Sequence, residues 1–210
     1  MSQSARLRIL VVGASGVLGR AIVTELSPRH DIVTAGSKTG DVRIDIADPA
    51  SIDAGLKAAG ALDAVVSAAG AVNFHPLSAI KPAPLAQSSY GLGLVNKLMG
   101  QVNLALAARD HLNDGGSITL IAGVLSNTPI AYGSSASMVN AAVEAFAMAA
   151  AIEMPRGIRI NAVSPTVFEE SMPDFGPFFR GHDPVPAARA ARAFSRSIEG
   201  LETGKTYPVV

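Results

Sequence analysis

Two periodicities alternate along this chain. Short runs rich in Val and Ile are separated by stretches in which apolar residues recur every three or four positions. The runs are RILVVGA (8–14), DIVTAG (31–36), VRIDI (42–46), DAVVSAAG (63–70), GSITLIAG (116–123), IRINAVSP (158–165) and KTYPVV (205–210). Four of them are almost continuously apolar, as strands covered on both faces must be. The stretches between predict helices over Gly16–Leu26, Pro49–Ala59, Gly91–His111, Ser137–Met154 and Ala187–Glu199. This β-α alternation implies an α/β fold: a parallel, doubly wound sheet joined by right-handed crossovers. At 210 residues the chain is long enough for one well-buried domain and short for two, so positions 1–210 read as a single domain.

The predicted helix over Ser137–Met154 is apolar on two faces. Val139, Val143, Phe146 and Ala150 form one stripe, and Met138, Ala142, Ala145 and Ala149 form a second. One stripe covers the sheet. The other needs a partner, and the simplest is the same helix of a second subunit, which predicts a homo-oligomer, a dimer or tetramer. Burial under the chain's own loops is the alternative. Pro and Gly cluster in SMPDFGPFFRGHDPVP (171–186), which reads as one long ordered loop.

Composition narrows the function classes. Charged residues make up 16% of the chain and the formal net charge is +0, which argues against nucleic acid or an anionic membrane surface as partner. With no Cys, the sequence has neither a disulfide framework nor a thiolate nucleophile. RLRILVVGA passes straight from a polar start into an apolar strand without a signal peptide, and AFAMAAAI is too short to span a bilayer. A cytoplasmic protein with a small-molecule substrate is the expectation.

The most informative stretch is VVGASGVLGRAIV, a strand, a turn and a helix carrying Gly13, Gly16 and Gly19 at three-residue spacing. Gly13 permits a tight turn, Gly16 lets a pyrophosphate approach the backbone, and Gly19 lets helix and strand pack closely. The free N–H groups at the helix start, around Val17 and Leu18, favour phosphates, and Ser15 adds a hydroxyl. The domain therefore reads as dinucleotide-binding. At the tip of the second strand, TAGSKTGD presents Ser37 and Lys38 where an acid would select NAD(H) through the ribose hydroxyls. A hydroxyl followed by a cation suits a 2′-phosphate, so NADP(H) is preferred over NAD(H). A solvated turn with an idle Lys38 is the alternative.

Together these features resemble the short-chain dehydrogenase/reductase family over nearly the whole chain, and that resemblance implies a Rossmann-type domain. DIADPASI is similar to the family's third-strand motif, which would set Asp45 on the adenine amino group and Ile46 on the ring. SAAG resembles the Asn-Ala-Gly motif after the fourth strand, with Ser67 in place of Asn followed by Ala68, Ala69 and Gly70. AIEMPRGIRINAVSP resembles the stretch leading into the sixth strand and sets Pro165 at the cofactor, with Thr166 where the family has Gly.

The family's chemistry passes hydride between nicotinamide and a carbonyl or alcohol carbon. A Tyr moves the proton, a Lys lowers its pKa from about 10 and holds the ribose, and a Ser orients the substrate oxygen. Matched to those positions this chain has Ala136 for Tyr, Asn140 for Lys and Gly123 for Ser, while Lys97 falls where the family has an Asn, with Asn96 one residue away. Asn140 would still bond a ribose hydroxyl. The resemblance implies an NADP(H)-dependent oxidoreductase with a divergent active site, and a non-catalytic NADP(H)-binding regulator or scaffold is the alternative. Tyr132, four residues before the Tyr slot, is a replacement acid if Lys97 reaches it. Ser134, Ser135 and Ser137 read as helix caps. His75 is a second proton-donor candidate or a plain loop residue. Glu169 and Glu170 form a pair of carboxylates on paper, but adjacent side chains diverge and one of the two reads as solvated; Phe175, Phe178 and Phe179 read as a lid or a packed surface loop. No spacing suggests a metal site.

Overall fold

The computed structural model describes residues 6–210. Its seven strands are β1 (Arg8–Val12), β2 (Asp31–Gly36), β3 (Val42–Arg43), β4 (Leu62–Ser67), β5 (Leu112–Ile121), β6 (Arg159–Pro165) and β7 (Thr206–Val209). They form one sheet in the order β3-β2-β1-β4-β5-β6-β7, every neighbouring pair parallel. The helices are α1 (Val17–Leu26), α2 (Pro49–Ala59), α3 (Gly100–His111), α4 (Ser134–Ala150), the short α5 (Met172–Phe175) and α6 (Ala187–Glu199). The strand order reverses between β1 and β4, and ligands of such sheets bind outside the carboxyl ends of the strands at that reversal.

The strand pattern decides which helix lies on which face. Successive side chains point to opposite faces. Leu10 and Val12 enter the core layer shared with Ile52, Leu56, Leu104 and Val143, which places α2, α3 and α4 on one side. Ile9 and Val11 enter the opposite layer with Ile22, Leu26, Phe194 and Ile198, which places α1 and α6 on the other.

Several boundaries differ from expectation, each for a local reason. β3 is two residues long, because Asp45 Oδ1 accepts the Ala47 N–H at 3.0 Å and the Asp45 N–H donates to Ser51 Oγ at 2.9 Å, turning the chain out of the ladder. α4 begins one turn earlier than predicted and ends one turn sooner. Gly133 is its N-cap, and no side chain caps it, so the three serines do not act as expected. Ser134 Oγ lies 3.1 Å from Tyr90 Oη, while Ser135 Oγ and Ser137 Oγ are buried with no partner among the described residues. The predicted helix over 91–111 begins as a wide π-helical segment, Gly93–Met99, before α3. The 171–186 segment is ordered but carries α5 and a 3₁₀ turn at Gly176–Phe178, follows another at Glu169–Ser171, and is closed by a bridge from Phe168 to Val185.

The second stripe of α4 is not covered by the chain's own loops. Met138 and Met148 are 41% and 61% accessible, and Ala145 and Ala149 are exposed too. Val95, Met99 and Leu106 before and within α3 are likewise exposed. Among the described residues no helix is long and apolar enough to cross a membrane.

Candidate active site and nucleotide cradle

The three glycines of the first turn have different jobs. Gly13 has φ +86, a backbone that favours glycine, and a Cβ there would stand 2.8 Å from the Ala68 carbonyl oxygen. Gly19 is an α1 residue whose Cβ would sit 2.1 Å from the Gly13 oxygen and 2.7 Å from Ala14 Cα. Both are required by the protein's own packing. Gly16 is not. Its φ is −72, and a Cβ would meet nothing nearer than the Gly13 oxygen at 3.5 Å. Internal packing leaves space at the start of α1, where the first N–H groups have no intrahelical acceptor. The cradle thus fits a diphosphate, which is the group that needs this approach.

Beside it lies a cavity of about 330 Å³ bordered by Gly13, Ser15, Ser37, Asp45, Ile46, Ala69 and Gly70. These expected cofactor residues are brought together. Five further lining residues, Val12, Gly36, Ile44, Ala71 and Asn96, were not singled out as cofactor contacts from sequence. Asn96 is there because its Oδ1 accepts the Ala71 N–H at 2.8 Å, fixing the segment after β4. Lys38 is exposed and is not among the residues bordering the cavity. Asp41 is tied back to Thr34, accepting its N–H at 2.8 Å and its hydroxyl proton at 2.7 Å, so its carboxylate is held short of the β2 tip. Gly16, Val17 and Ala68 lie outside the cavity wall. Ser67 is fully buried, and Leu18 packs in the α1–α6 core layer.

A second cavity, about 260 Å³, opens beyond the ends of β5 and β6. Gly123, Ala136 and Asn140 all line it, together with Lys97, Pro165 and Thr166, so the positions counted along the chain do converge in space. Apart from Ser171 the rest of the wall is apolar, with Val72, Phe74, Leu125, Val167, Phe175 and Phe179. Among the described lining residues there is one amine and no phenol.

That amine belongs to Lys97. Its Nζ donates to Asn140 Oδ1 at 2.7 Å and to the Ala122 carbonyl at 3.1 Å. The side chain crosses from the other helix over Gly70, where a Cβ would lie 2.7 Å from Lys97 Cγ, so only glycine leaves room. The wide turn over Gly93–Met99 lets adjacent residues serve two purposes: Asn96 holds the loop after β4 while Lys97 enters the cavity. Burial pushes the Lys97 ammonium down from its ordinary 10.5 to about 8, partly offset by the charge of Glu144. Glu144, not singled out from sequence as a site residue, makes no ion pair with a described residue. It accepts the Ser126 hydroxyl at 2.9 Å and the Ser164 hydroxyl at 2.8 Å.

Gly123 belongs to the same set, since a Cβ on it would lie 2.8 Å from Asn140 Nδ2. The Asn140 amide occupies the space that a side chain at position 123 would need. Opposite this group Thr166, 6% accessible, keeps a buried hydroxyl without a partner among the described residues.

Tyr132 is elsewhere. It sits at φ +66, 47% accessible, edge-on to Phe178 with centroids 6.1 Å apart, and borders a separate surface depression with His75. Lys97 therefore reaches Asn140 rather than this phenol. Phe74 gathers Phe175 at 5.9 Å and Phe178 at 6.5 Å, so the 171–186 segment roofs the second cavity with aromatic rings. Glu170 accepts the Ala187 N–H at the start of α6 at 3.1 Å, a structural task its neighbour Glu169 does not share. Among the described residues no cluster of His, Asp or Glu could hold a metal ion.

A parallel doubly wound sheet with a glycine turn at its reversal defines a Rossmann-like α/β domain. The match to a family model described as Enoyl-(Acyl carrier protein) reductase runs over residues 17–197. The chain belongs to the short-chain dehydrogenase/reductase family, a family of oxidoreductases. Among solved structures it is similar to the protein lin1944 from Listeria innocua, at 48% identity and a TM-score of 0.92, covering 97% of this chain and 100% of that one. It also resembles a small-chain dehydrogenase at 25% identity (TM-score 0.80, 98% and 96% covered). A small-chain dehydrogenase in complex with NADPH, at 24% identity, shares the fold (TM-score 0.83, 98% and 97% covered). No curated protein matches the chain.

Proposed function

We propose that this protein is an NADP(H)-dependent oxidoreductase whose active site departs from the family's usual proton relay. The observation that carries the reading is the space left at Gly16, which internal packing does not require, next to a cavity bordered by Ser37 and Asp45. When bound, the nicotinamide supplies or accepts hydride. The chain's residues would hold its diphosphate on the α1 N–H groups, its adenosine between Asp45, Ile46 and Gly70, and its ribose at Asn140. Ser37 and Lys38 would meet a 2′-phosphate, with Asp41 tied to Thr34 and unable to repel it. A neighbour of the same fold was solved with NADPH. The aromatic roof would exclude water from the reacting end.

Fluorescence titration with NADPH and NADH tests this. NADPH is expected to bind at least about tenfold more tightly, and Lys38→Ala to erase that margin, as loss of one charge-assisted contact worth about 1.5 kcal/mol would. Tighter binding of NADH would reverse the assignment of Ser37 and Lys38. A non-catalytic NADP(H)-binding protein is the second reading, favoured by the absence of any proton-bearing side chain at Gly123 and Ala136. The exposed apolar stripes of α3 and α4 support a homo-oligomer built on those helices. Sedimentation should find a dimer or tetramer, and a monomer at micromolar concentration would remove that part of the proposal.

A further inference from the structure

Lys97 presents a cation that forms no ion pair with a described carboxylate, although the charge of Glu144 acts on it from a distance. A protonated amine has three N–H donors. Two are spent on neutral acceptors, Asn140 Oδ1 and the Ala122 carbonyl, and the side chain lines the second cavity. The carboxylate that acts on it, Glu144, is already engaged by Ser126 and Ser164. No other residue in the cavity wall titrates, and His75 lies in a different depression. Placing such an amine at the meeting point of α4, β5 and the wide turn before α3 costs desolvation. An anionic oxygen forming in the cavity would repay it.

We propose that Lys97, held by Asn140, is the proton donor that replaces the missing phenol, acting on carbonyl compounds with an apolar, ring-sized body. The inference rests on the nicotinamide-binding reading above. With a bound nicotinamide supplying hydride to the carbonyl carbon, the C=O π electrons would move to oxygen and the Lys97 ammonium would give that oxygen a proton. The products are the alcohol, the oxidised nicotinamide and a neutral amine, which solvent reprotonates. In the reverse direction the neutral amine takes the hydroxyl proton. Asn140 is a positioning residue: its carbonyl oxygen aims the amine, and Gly123 leaves space for its amide nitrogen. The substrate class follows from the wall. Beyond Lys97, Asn140, Thr166 and Ser171, the side chains bordering the 260 Å³ space are apolar or aromatic.

The test follows NADPH oxidation with benzaldehyde, acetophenone and cyclohexanone, with glyceraldehyde and pyruvate as polar controls, alongside NADPH titration of every variant. The wild type is expected to favour the three apolar carbonyls. Its reduction rate should be flat below about pH 8, where the amine carries its proton, and fall about tenfold per unit above it. Lys97→Met should lower kcat/KM for reduction at least about a hundredfold, with NADPH affinity kept within about threefold. Lys97→Arg keeps the charge but does not release a proton in this range, so the limb near pH 8 should vanish with the activity. Asn140→Ala should lower kcat more than it raises KM. Turnover in Lys97→Met within threefold of wild type, a limb that persists in Lys97→Arg, or a wild type that binds NADPH but reduces none of the five compounds would each overturn the role of Lys97 and leave the nucleotide reading standing. Failure of the wild type to bind NADPH would instead remove that reading.

Discussion

Gly19→Ala should destabilise the protein by about 3 kcal/mol or more, at the upper end of overpacking costs, while Gly16→Val should remain folded and lose its cofactor. The two glycines stand three residues apart in one motif, and their roles separate on distances. At position 19 the new methyl would lie 2.1 Å from the Gly13 oxygen and 2.7 Å from Ala14 Cα. Both are backbone atoms, so α1 must move off β1. At position 16 the backbone is ordinary and the neighbouring space is open, so the cost is a weaker helix cap of about 1 kcal/mol. The added side chain would instead occupy the approach to the α1 N–H groups. NADPH affinity should then fall about a hundredfold, about 2.7 kcal/mol. Urea denaturation and NADPH titration on both variants distinguish the effects. A Gly16→Val protein that bound NADPH as wild type would show that the diphosphate does not lie there.

The second large effect concerns the exchange of Lys and Asn between two helices. Substituting the family's residues at Gly123, Ala136 and Asn140 alone should give a poorly folded or inactive protein. A lysine at 140 would place its ammonium beside that of Lys97, and two such charges about 4 Å apart repel by about 4 kcal/mol at an effective dielectric of about 20. Adding Lys97→Asn to Gly123→Ser, Ala136→Tyr and Asn140→Lys removes the conflict and returns the amine to α4. The quadruple variant should reduce the aldehyde and ketone panel at least about tenfold faster than the triple. Equal activity in the two would mean that positions 97 and 140 do not share one space, contrary to the 2.7 Å bond between them.

That pairing shows how far the chain could be read without coordinates. The resemblance set Lys97 against an Asn and Asn140 against a Lys, two separate departures 43 residues apart in sequence. Read singly, Asn140 looked like lost chemistry and Lys97 like a cation that would serve Tyr132. In the folded protein they are one arrangement, because the amine that left α4 returns to the same cavity from the segment before α3. The signal was present as two reciprocal changes. What made them reciprocal was a crossing of helices that residue order does not contain. Tyr132 illustrates the converse. Its spacing from the Tyr position offered a replacement acid, yet with a backbone at φ +66 its ring lies against Phe178 and Lys97 bonds Asn140.

By itself the sequence determined the layers of this protein. Runs of buried β-branched residues and three-to-four-residue periodicity depend only on local geometry and on which face must leave water, so a parallel, doubly wound sheet followed from them, and the spacing of Gly13, Gly16 and Gly19 marked the cradle, whereas the strand order came only from the fold. The tertiary structure alone decided the fate of individual polar groups. It held Asp41 at Thr34, engaged Glu144 with Ser126 and Ser164, left the Thr166 hydroxyl without a partner among the described residues, and brought the Lys97 amine to Asn140. Burying apolar area is non-directional and tolerates small errors of register. A hydrogen bond or a buried charge depends on tenths of an ångström between atoms far apart in the chain, and only the packed fold supplies that precision.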